Sequence, residues 1–206
     1  MAKSYKTIFV DWDGTLSNSR FWDRWIGTDR HGQIQKTLFT DRLEYVHLWM
    51  TGFMTYGQVL QYIESSTDIP YDALQQELEY SARNMKVIDD EVQSLIQKLQ
   101  HKGAKVIIAT DNMDTFRLWS VPQLGLETVF DGILTSDVQG ALKSERYNNG
   151  TSKFFSHYLT QNNLHPGESV LIDNSLDTKI VESFGIDFLH VNKRNSLTNH
   201  LKELLK

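Results

Sequence analysis

The chain has 206 residues, of which 40% are hydrophobic and 23% are charged, enough for one globular core domain and a smaller elaboration. Its formal net charge of −5 offers no basic surface for a nucleic acid polymer or an anionic membrane. Because the sequence contains no cysteine, disulfides, thiolate metal sites and cysteine nucleophiles are excluded.

The sequence holds no apolar stretch long enough for a secretory signal or a membrane-spanning helix. Its first apolar run, residues 8–10, is followed at once by acidic residues beginning with Asp11. We therefore expect a cytoplasmic protein without a membrane partner. The composition leaves the oligomeric state open.

Three short apolar runs predict buried strands of a parallel sheet, because they are rich in β-branched residues and apolar on both faces. Each run stops at an oxygen-bearing side chain: residues 7–10 before Asp11, residues 105–109 before Thr110, and residues 169–172 before Asp173. Two weaker strand candidates are residues 132–135 and 187–191.

Between these runs lie segments with the three-to-four residue spacing of amphipathic helices. They are residues 90–102, 153–164, 175–184 and 196–206. The alternation predicts an α/β fold with a Rossmann-like parallel sheet and helices on both faces. Ligands of such sheets bind at the carboxyl ends of the strands, where Asp11, Thr110 and Asp173 are expected to meet.

Residues 17–86 depart from this alternation. The segment is rich in aromatic residues and has helical periods in residues 40–50, 56–65 and 71–84. We interpret it as a separate helical unit inserted after the first strand. The helical spacing of its first aromatic residues favours packing inside that unit over a surface for base stacking.

Asp11 and Asp13 lie two residues apart, so their side chains would share a face if the strand continued. Gly14 follows and permits a sharp turn close to a ligand. Adjacent carboxylates repel each other unless a cation lies between them or one is protonated. This pattern also occurs in simple turns, but Asp173 and Asp177 add two further carboxylates at the same edge. Oxygen ligands without histidine or cysteine suit Mg²⁺.

The sequence resembles the haloacid dehalogenase-like hydrolases over its whole length. Residues 10–16, Val-Asp-Trp-Asp-Gly-Thr-Leu, match the first motif of that family, residues 106–110 match the second, and residues 173–177 match the fourth. Residues 130–136 resemble the segment that follows the second motif. The resemblance implies that residues 1–16 and 87–206 form the α/β core domain and that residues 17–86 form a helical cap domain.

The third motif of this family is a lysine, and two positions compete for it. Lys153 opens the predicted helix before the Asp173 strand, a placement seen in part of the family. Lys143 lies in the polar loop 137–152, where relatives often have Lys-Pro, but no proline follows it. We favour Lys153, although most lysines lie on a solvated surface.

The resemblance implies a Mg²⁺-dependent phosphatase that acts on a small phosphorylated metabolite, such as a sugar phosphate or a nucleotide. Asp11 would attack phosphorus to form an aspartyl phosphate, and Asp13 would act first as acid and then as base. Thr110 would donate a hydrogen bond to the phosphoryl group. Lys153 would contact the same group and keep Asp11 ionised.

Mg²⁺ is the cofactor that the resemblance implies. The ion would be held by Asp11, the backbone carbonyl of Asp13, and Asp173, with Asp177 supporting the metal shell. It would neutralise charge that develops on the phosphoryl oxygens.

Substrate-contacting residues are expected in two places. Asp111 and Asn112 follow Thr110 directly, and an acid at position 111 departs from the family pattern in a way that would disfavour strongly anionic substrates. Arg20 and Arg24 lie close to the first motif and are expected to meet a second anionic group of the substrate, although exposed arginines are common.

Other activities of the same fold are less compatible with these residues. A haloacid dehalogenase lacks an acid at the position of Asp13, because its leaving group needs no proton. A phosphonate hydrolase would need a lysine in the cap, for which Lys36 and Lys86 are the candidates. A phosphomutase of the β-phosphoglucomutase kind and a non-catalytic phospholigand-binding module remain as alternatives.

Overall fold

The structure is a computed structural model that describes residues 3–206, and over that range it contains one five-stranded sheet. The strands are β1 (Thr7–Val10), β2 (Lys105–Thr110), β3 (Gly132–Thr135), β4 (Ser169–Asp173) and β5 (Asp187–His190). Their order across the sheet is β3-β2-β1-β4-β5, and every neighbouring pair is parallel. The predicted core range also includes residues 1–2, which lie outside the described residues.

Helices connect the strands and fill the segment after β1. They are α1 (Asp29–Ile34), α2 (Leu43–Met50), α3 (Tyr56–Ser66), α4 (Tyr71–Arg83), α5 (Glu91–His101), α6 (Val121–Leu124), α7 (Leu126–Val129), α8 (Ser136–Gln139), α9 (Ser156–Gln161), α10 (Thr178–Ser183) and α11 (Leu197–Leu204). Two π-helices, Gln35–Thr40 and Phe116–Ser120, and two 3-10 turns, Asp23–Trp25 and Pro166–Glu168, complete the described chain. No helix within residues 3–206 has the length and apolar character needed to cross a membrane.

Alternate residues of the central strands pack on opposite faces of the sheet. Val10 and Ile108 belong to a buried cluster with α5 and α11, whereas Phe9, Ile107 and Leu171 belong to a cluster with α9 and α10. Because both faces are covered, the strands are apolar throughout. The predicted α/β fold with helices on both faces of a parallel sheet is therefore confirmed.

Two core helices are shorter than their periodicity predicts. The segment 175–184 becomes helical only from Thr178, because Asp177 has an extended backbone with ψ of 124° and its side chain caps the helix. Before it, the backbone N–H groups of Ser175 and Leu176 donate to Asp173 Oδ1 at 2.7 and 3.1 Å. Likewise, α9 begins at Ser156 rather than at Lys153. In both cases a loop occupies the first positions of the predicted helix.

The insert of residues 17–86 carries α1 to α4 and has a hydrophobic cluster of its own. Buried side chains between Trp22 and Ala82 form this cluster, and Trp119 joins it from the core. Asp114, in the loop after β2, ties the insert to the core: it accepts hydrogen bonds from Trp49 Nε1 at 2.7 Å and from the backbone N–H of Tyr56 at 3.0 Å. The exact domain division at residues 16 and 87 stays a prediction.

Candidate active site

Three polar side chains meet where neighbouring strands end. Val10 pairs with Ile108 of β2 and Ile172 of β4, so that Asp11, Thr110 and Asp173 follow at the same edge of the sheet. All three are buried. The backbone N–H of Asp11 extends the pairing by donating to Ile172 at 2.9 Å. Strand register thus places three of the predicted residues together.

The lysine beside Asp11 is Lys143. Its Nζ lies 2.6 Å from Asp11 Oδ1 and 2.6 Å from Asp173 Oδ2, and its side chain is only 2% exposed. Lys153, which the sequence favoured, is 39% exposed and pairs with Glu145 at 3.1 Å. The preference for Lys153 is therefore corrected: that residue lies in a loop before α9, and its backbone N–H donates to the Glu145 carbonyl.

Lys143 balances two buried carboxylates. Burial raises the pKa of Asp11 to about 6; Lys143 opposes the rise and Asp173 adds to it. Burial alone would raise the pKa of Asp173 as well, but Lys143 and two backbone N–H groups hold it below its ordinary value. Burial would lower the pKa of Lys143, and the surrounding carboxylates raise it instead. Lys143 therefore stays charged and keeps negative charge at Asp11 accessible near neutral pH.

Asp13 lies above this buried group and is held by Asn112. Asn112 Nδ2 donates to Asp13 Oδ2 at 2.9 Å, and the Asn112 backbone is fixed by Ser136 Oγ at 2.9 Å. Asp13 keeps contact with solvent, yet the protein atoms that crowd it limit its hydration. This desolvation, followed by the charge of Asp11, raises the pKa of Asp13 to about 7, with Lys143 opposing. Asp13 is thus partly protonated at neutral pH.

Thr110 and Asp111 differ in their bonding. Thr110 Oγ1 is buried and has no hydrogen-bond partner within the described chain, although a buried hydroxyl normally has one. Asp111 Oδ1 accepts from the backbone N–H of Lys143 at 2.7 Å, which anchors the lysine loop to the end of β2. Thr110 therefore retains a free donor at the strand ends, while Asp111 positions Lys143.

Two predicted residues are engaged elsewhere. Arg24 pairs with Glu77 at 2.7 Å and stacks on the Tyr80 ring at 3.7 Å, inside the insert. Asp177 is exposed and accepts the backbone N–H of Lys179 at 2.8 Å as the N-cap of α10. These contacts argue against a substrate role for Arg24 and a metal role for Asp177. Arg20, by contrast, lines the same cleft as Asp13.

The sequence interpretation missed Asn174. Gly14 has a left-handed φ of 76°, and a Cβ atom there would lie 2.1 Å from Asn174 Nδ2, so this close approach requires glycine. Thr15 Oγ1 donates to Asn174 Oδ1 at 3.3 Å. Asn174 thereby joins the first and fourth motifs; its position directly after Asp173 was the available signal.

The oxygen atoms at the strand ends are donors of the kind that Mg²⁺ prefers. No cluster of three or more Asp, Glu, His or Cys side chains arranged for a metal occurs in residues 3–206. Mg²⁺, however, is commonly bound through one or two carboxylates with several waters retained. Asp11 and Asp173 supply two carboxylates at the strand ends, where Thr110 has an unpartnered hydroxyl. The backbone carbonyl of Asp13 and the amide oxygen of Asn174 are further donors, which leaves the Asp13 carboxyl free to carry a proton. These hard oxygen donors fit Mg²⁺ together with a phosphoryl group.

A cleft of about 640 Å³ opens above Asp13, between the edge of the sheet and the insert. From the core, its walls include Asp13, Gly14, Asp111, Met113 and Asn174. From the insert they include Arg20 together with several aromatic and aliphatic side chains. We call this space the insert cleft.

The sequence matches the model of a known protein family. Residues 5–177 match the family described as haloacid dehalogenase-like hydrolase. Among curated protein sequences, none matches the chain.

Solved structures resemble the fold at low sequence identity. A HAD family enzyme from Bacteroides thetaiotaomicron is 16% identical, with a TM-score of 0.73 over 92% of this chain and 95% of that one; the same enzyme has also been solved with magnesium and inorganic phosphate. A HAD phosphatase from Thermococcus onnurineus is 19% identical, with a TM-score of 0.66 over 97% of each chain.

An L-2-haloacid dehalogenase from Xanthobacter autotrophicus, with chloropropionic acid covalently bound, is 15% identical, with a TM-score of 0.64 over 98% of this chain and 82% of that one. The similar structures thus include a phosphatase and a dehalogenase. With the family match over residues 5–177, the chain belongs to the haloacid dehalogenase-like hydrolases.

Proposed function

We propose that this protein is a Mg²⁺-dependent phosphatase that hydrolyses small phosphate monoesters through an aspartyl phosphate on Asp11. One observation carries the proposal: the buried Asp11 is held by Lys143, while Asp13, two residues later, is held by Asn112 and has a pKa raised to about 7. A nucleophile that stays ionised and a neighbouring acid that is partly protonated form the pair that ester cleavage needs.

In the first step, a carboxylate oxygen of Asp11 attacks phosphorus, and the bond from phosphorus to the ester oxygen breaks. Asp13 gives its proton to the departing alkoxide, which leaves as an alcohol. In the second step, water attacks the aspartyl phosphate, Asp13 accepts a proton from that water, and the bond between phosphorus and Asp11 breaks to release inorganic phosphate. Asp13 is then ready to act as an acid again.

Two residues would stabilise the charge that develops on the phosphoryl oxygens. Thr110 Oγ1 is buried without a partner and is free to donate to one of them. Lys143 is already charged beside Asp11 and limits repulsion between Asp11 and an incoming anion. Mg²⁺, when bound by Asp11, Asp173 and the backbone carbonyl of Asp13, would supply further positive charge against the phosphoryl oxygens.

Asp13 also separates this proposal from dehalogenase chemistry. A halide leaves without a proton, so a dehalogenase gains nothing from an acid held at this position. The Bacteroides enzyme with magnesium and inorganic phosphate is in keeping with the phosphatase alternative. A phosphomutase would use the same pair of aspartates, and it would be recognised by an isomeric phosphate ester as its product.

We further infer that residues 17–86 act as a cap that excludes water from the phosphoryl group and selects the substrate. The insert packs around its own hydrophobic cluster and lines the cleft that contains Asp13. The core would then perform the chemistry, and the insert would set the specificity.

The direct test is turnover of a panel of phosphorylated metabolites with Mg²⁺, measured as released phosphate. We expect excess chelator to abolish turnover, Mg²⁺ to restore it, and Asp11→Asn to reduce it by at least about a thousandfold. Asp177→Asn is a matched control, because asparagine can also cap α10. Full activity in Asp11→Asn would contradict the nucleophile assignment.

A further inference from the structure

We propose that the insert cleft selects phosphate monoesters whose leaving alcohol carries a planar, apolar body rather than a ring of hydroxyl groups. The inference rests on the proposed phosphatase function and assigns a substrate class to the same site. It follows from where the leaving group must lie and from the side chains that surround that position.

The position of the leaving group follows from Asp13. The side chain that protonates the ester oxygen must lie within hydrogen-bond distance of it. Asp13 lines the insert cleft, whereas Asp11 and Thr110 lie buried below it. The phosphoryl group is therefore directed towards the sheet, and the body of the alcohol extends into the cleft.

The insert side of the cleft is mostly apolar. Its seven apolar side chains are Phe21, Trp22, Leu38, Phe39, Val46, Trp49 and Met50. Beyond Arg20, its polar side chains are Asn18, Ser19, His31 and Gln35. A large apolar side chain normally becomes buried, yet Phe39 is 46% exposed beside this cleft. Pockets lined by aromatic side chains with a few polar groups are typical of sites for apolar small molecules.

The wall of the cleft is held in an unusual backbone conformation. Trp22 has a left-handed φ of 63°, which is rare for a bulky residue and costs conformational energy. Its N–H donates to Ser81 Oγ at 3.1 Å, and its ring stacks on Trp25 with centroids 6.1 Å apart. Phe39 lies on the π-helix Gln35–Thr40, a distortion that is frequent at functional sites. The insert thus holds aromatic groups firmly against the cleft.

Charge around the cleft opposes a second strongly anionic group near phosphorus. The carboxyl groups of Asp13 and Asp111 both line the core side. Arg20 is the one arginine or lysine side chain lining this cleft in residues 3–206. Its planar guanidinium can stack on an aromatic ring or pair with a single acceptor. The cleft therefore suits an aromatic body with at most one further acceptor.

The test compares esters of primary alcohols whose leaving groups are similar in basicity: ethyl phosphate, benzyl phosphate and ribose 5-phosphate. We expect kcat/KM for benzyl phosphate to exceed that for each of the others by at least about tenfold, because binding in the cleft removes apolar surface of the ring from water. Phe39→Ser should lower the ratio of benzyl to ethyl phosphate kcat/KM by about tenfold. Phe53→Ser is the matched control, since Phe53 is 72% exposed in the same insert and does not line the cleft.

Binding of inert phosphonates separates this inference from the proposed function. Calorimetry should show that benzylphosphonate binds about tenfold more tightly than ethylphosphonate, and that Phe39→Ser removes the difference. Preferential binding of benzylphosphonate without hydrolysis of any ester would overturn the phosphatase proposal and support the cleft preference. Hydrolysis with ribose 5-phosphate preferred, or an unchanged ratio in Phe39→Ser, would overturn the cleft preference and leave the phosphatase proposal standing.

Discussion

The carboxyl edge of the sheet and the helical insert hold their functional side chains in different ways. At the sheet edge, Asp11 and Asp173 are buried, follow strands in fixed register and share one buried cation. In the insert, Arg20 and Phe39 are exposed and lie on a loop and a π-helix. The rigid edge suits a reaction that needs fixed atoms, and the separately packed insert suits recognition of a variable leaving group.

The largest expected effect tests the sheet edge. Lys143→Met removes the cation between Asp11 and Asp173 and leaves two buried carboxylates unpaired. We expect turnover to be lost and the free energy of unfolding to fall by about 3–5 kcal/mol, measured by phosphate release and urea denaturation. Lys153→Met is the control, because that side chain makes one half-exposed ion pair. Equal losses of turnover and of stability in the two variants would show that Lys143 contributes no more to the site than Lys153 does.

A smaller effect is expected where the core positions the proton donor. Asn112→Ala removes the hydrogen bond to Asp13 and should lower kcat for an alkyl phosphate by about 10- to 100-fold. The loss should be smaller for 4-nitrophenyl phosphate, whose leaving group needs little protonation. Thr115→Val is the control, since Thr115 Oγ1 has no partner within the described chain. Equal losses with both esters would mean that Asn112 does not act through Asp13.

The attachment of the insert gives the next prediction. Asp114→Ala removes the acceptor for Trp49 and for the N–H of Tyr56, which should cost about 2–3 kcal/mol. We expect KM to rise more than kcat falls, and hydrogen exchange to increase in α2 and α3 but not in β1 or β4. Asp114→Asn keeps one acceptor oxygen and should therefore recover part of the lost stability. Uniform loss of protection across the sheet would show that insert and core unfold as one unit.

The smallest effect concerns the second contact between insert and core. Glu145 accepts a hydrogen bond from Lys153 and contacts His47 Nε2 at 3.2 Å. Burial alone would raise the pKa of Glu145, but these contacts keep that pKa below its ordinary value. A carboxylate with a lowered folded pKa stabilises the protein above its unfolded pKa, and that stability is lost as pH falls through the folded value.

Glu145→Gln should therefore lower the free energy of unfolding by less than about 1 kcal/mol at neutral pH. The difference from the wild-type protein should shrink as pH falls below the ordinary glutamate pKa and disappear once acid has protonated Glu145 in the folded state, where both proteins carry a neutral side chain. Glu44→Gln, which alters an exposed pair with Arg42 inside the insert, should change stability less. A Glu145→Gln difference that persists in acid would show that charge is not its cause.

Sequence reasoning worked best where local chemistry and sheet geometry agree. Residues 7–10 had to form a strand because they are short, β-branched and apolar on both faces, and Asp11 had to follow at the strand end. The same logic located Thr110 and Asp173. Parallel strands carry their carboxyl ends to one edge, so a linear pattern was sufficient to predict a shared site.

The sequence pattern did not predict the conformation of the loops. Lys143 lies in a polar loop, and Lys153 was favoured because it opens a predicted helix. Only the fold shows that Asp111 holds the Lys143 backbone while Lys153 pairs with Glu145. Arg24 likewise looked available until the fold brought Glu77 beside it. Contacts between residues far apart in the chain determine which lysine or arginine lies at the site, and local periodicity does not predict those contacts.

By itself, the sequence determined the α/β class, the order of the strands along the chain, and the carboxylates at the strand ends, because these depend on side-chain polarity at short range. Only the tertiary structure decided which lysine meets Asp11, that Asp177 caps a helix, and that aromatic side chains of the insert line the cleft above Asp13. Those outcomes depend on how loops and the insert pack on the sheet, where the burial of a few groups outweighs their local preferences.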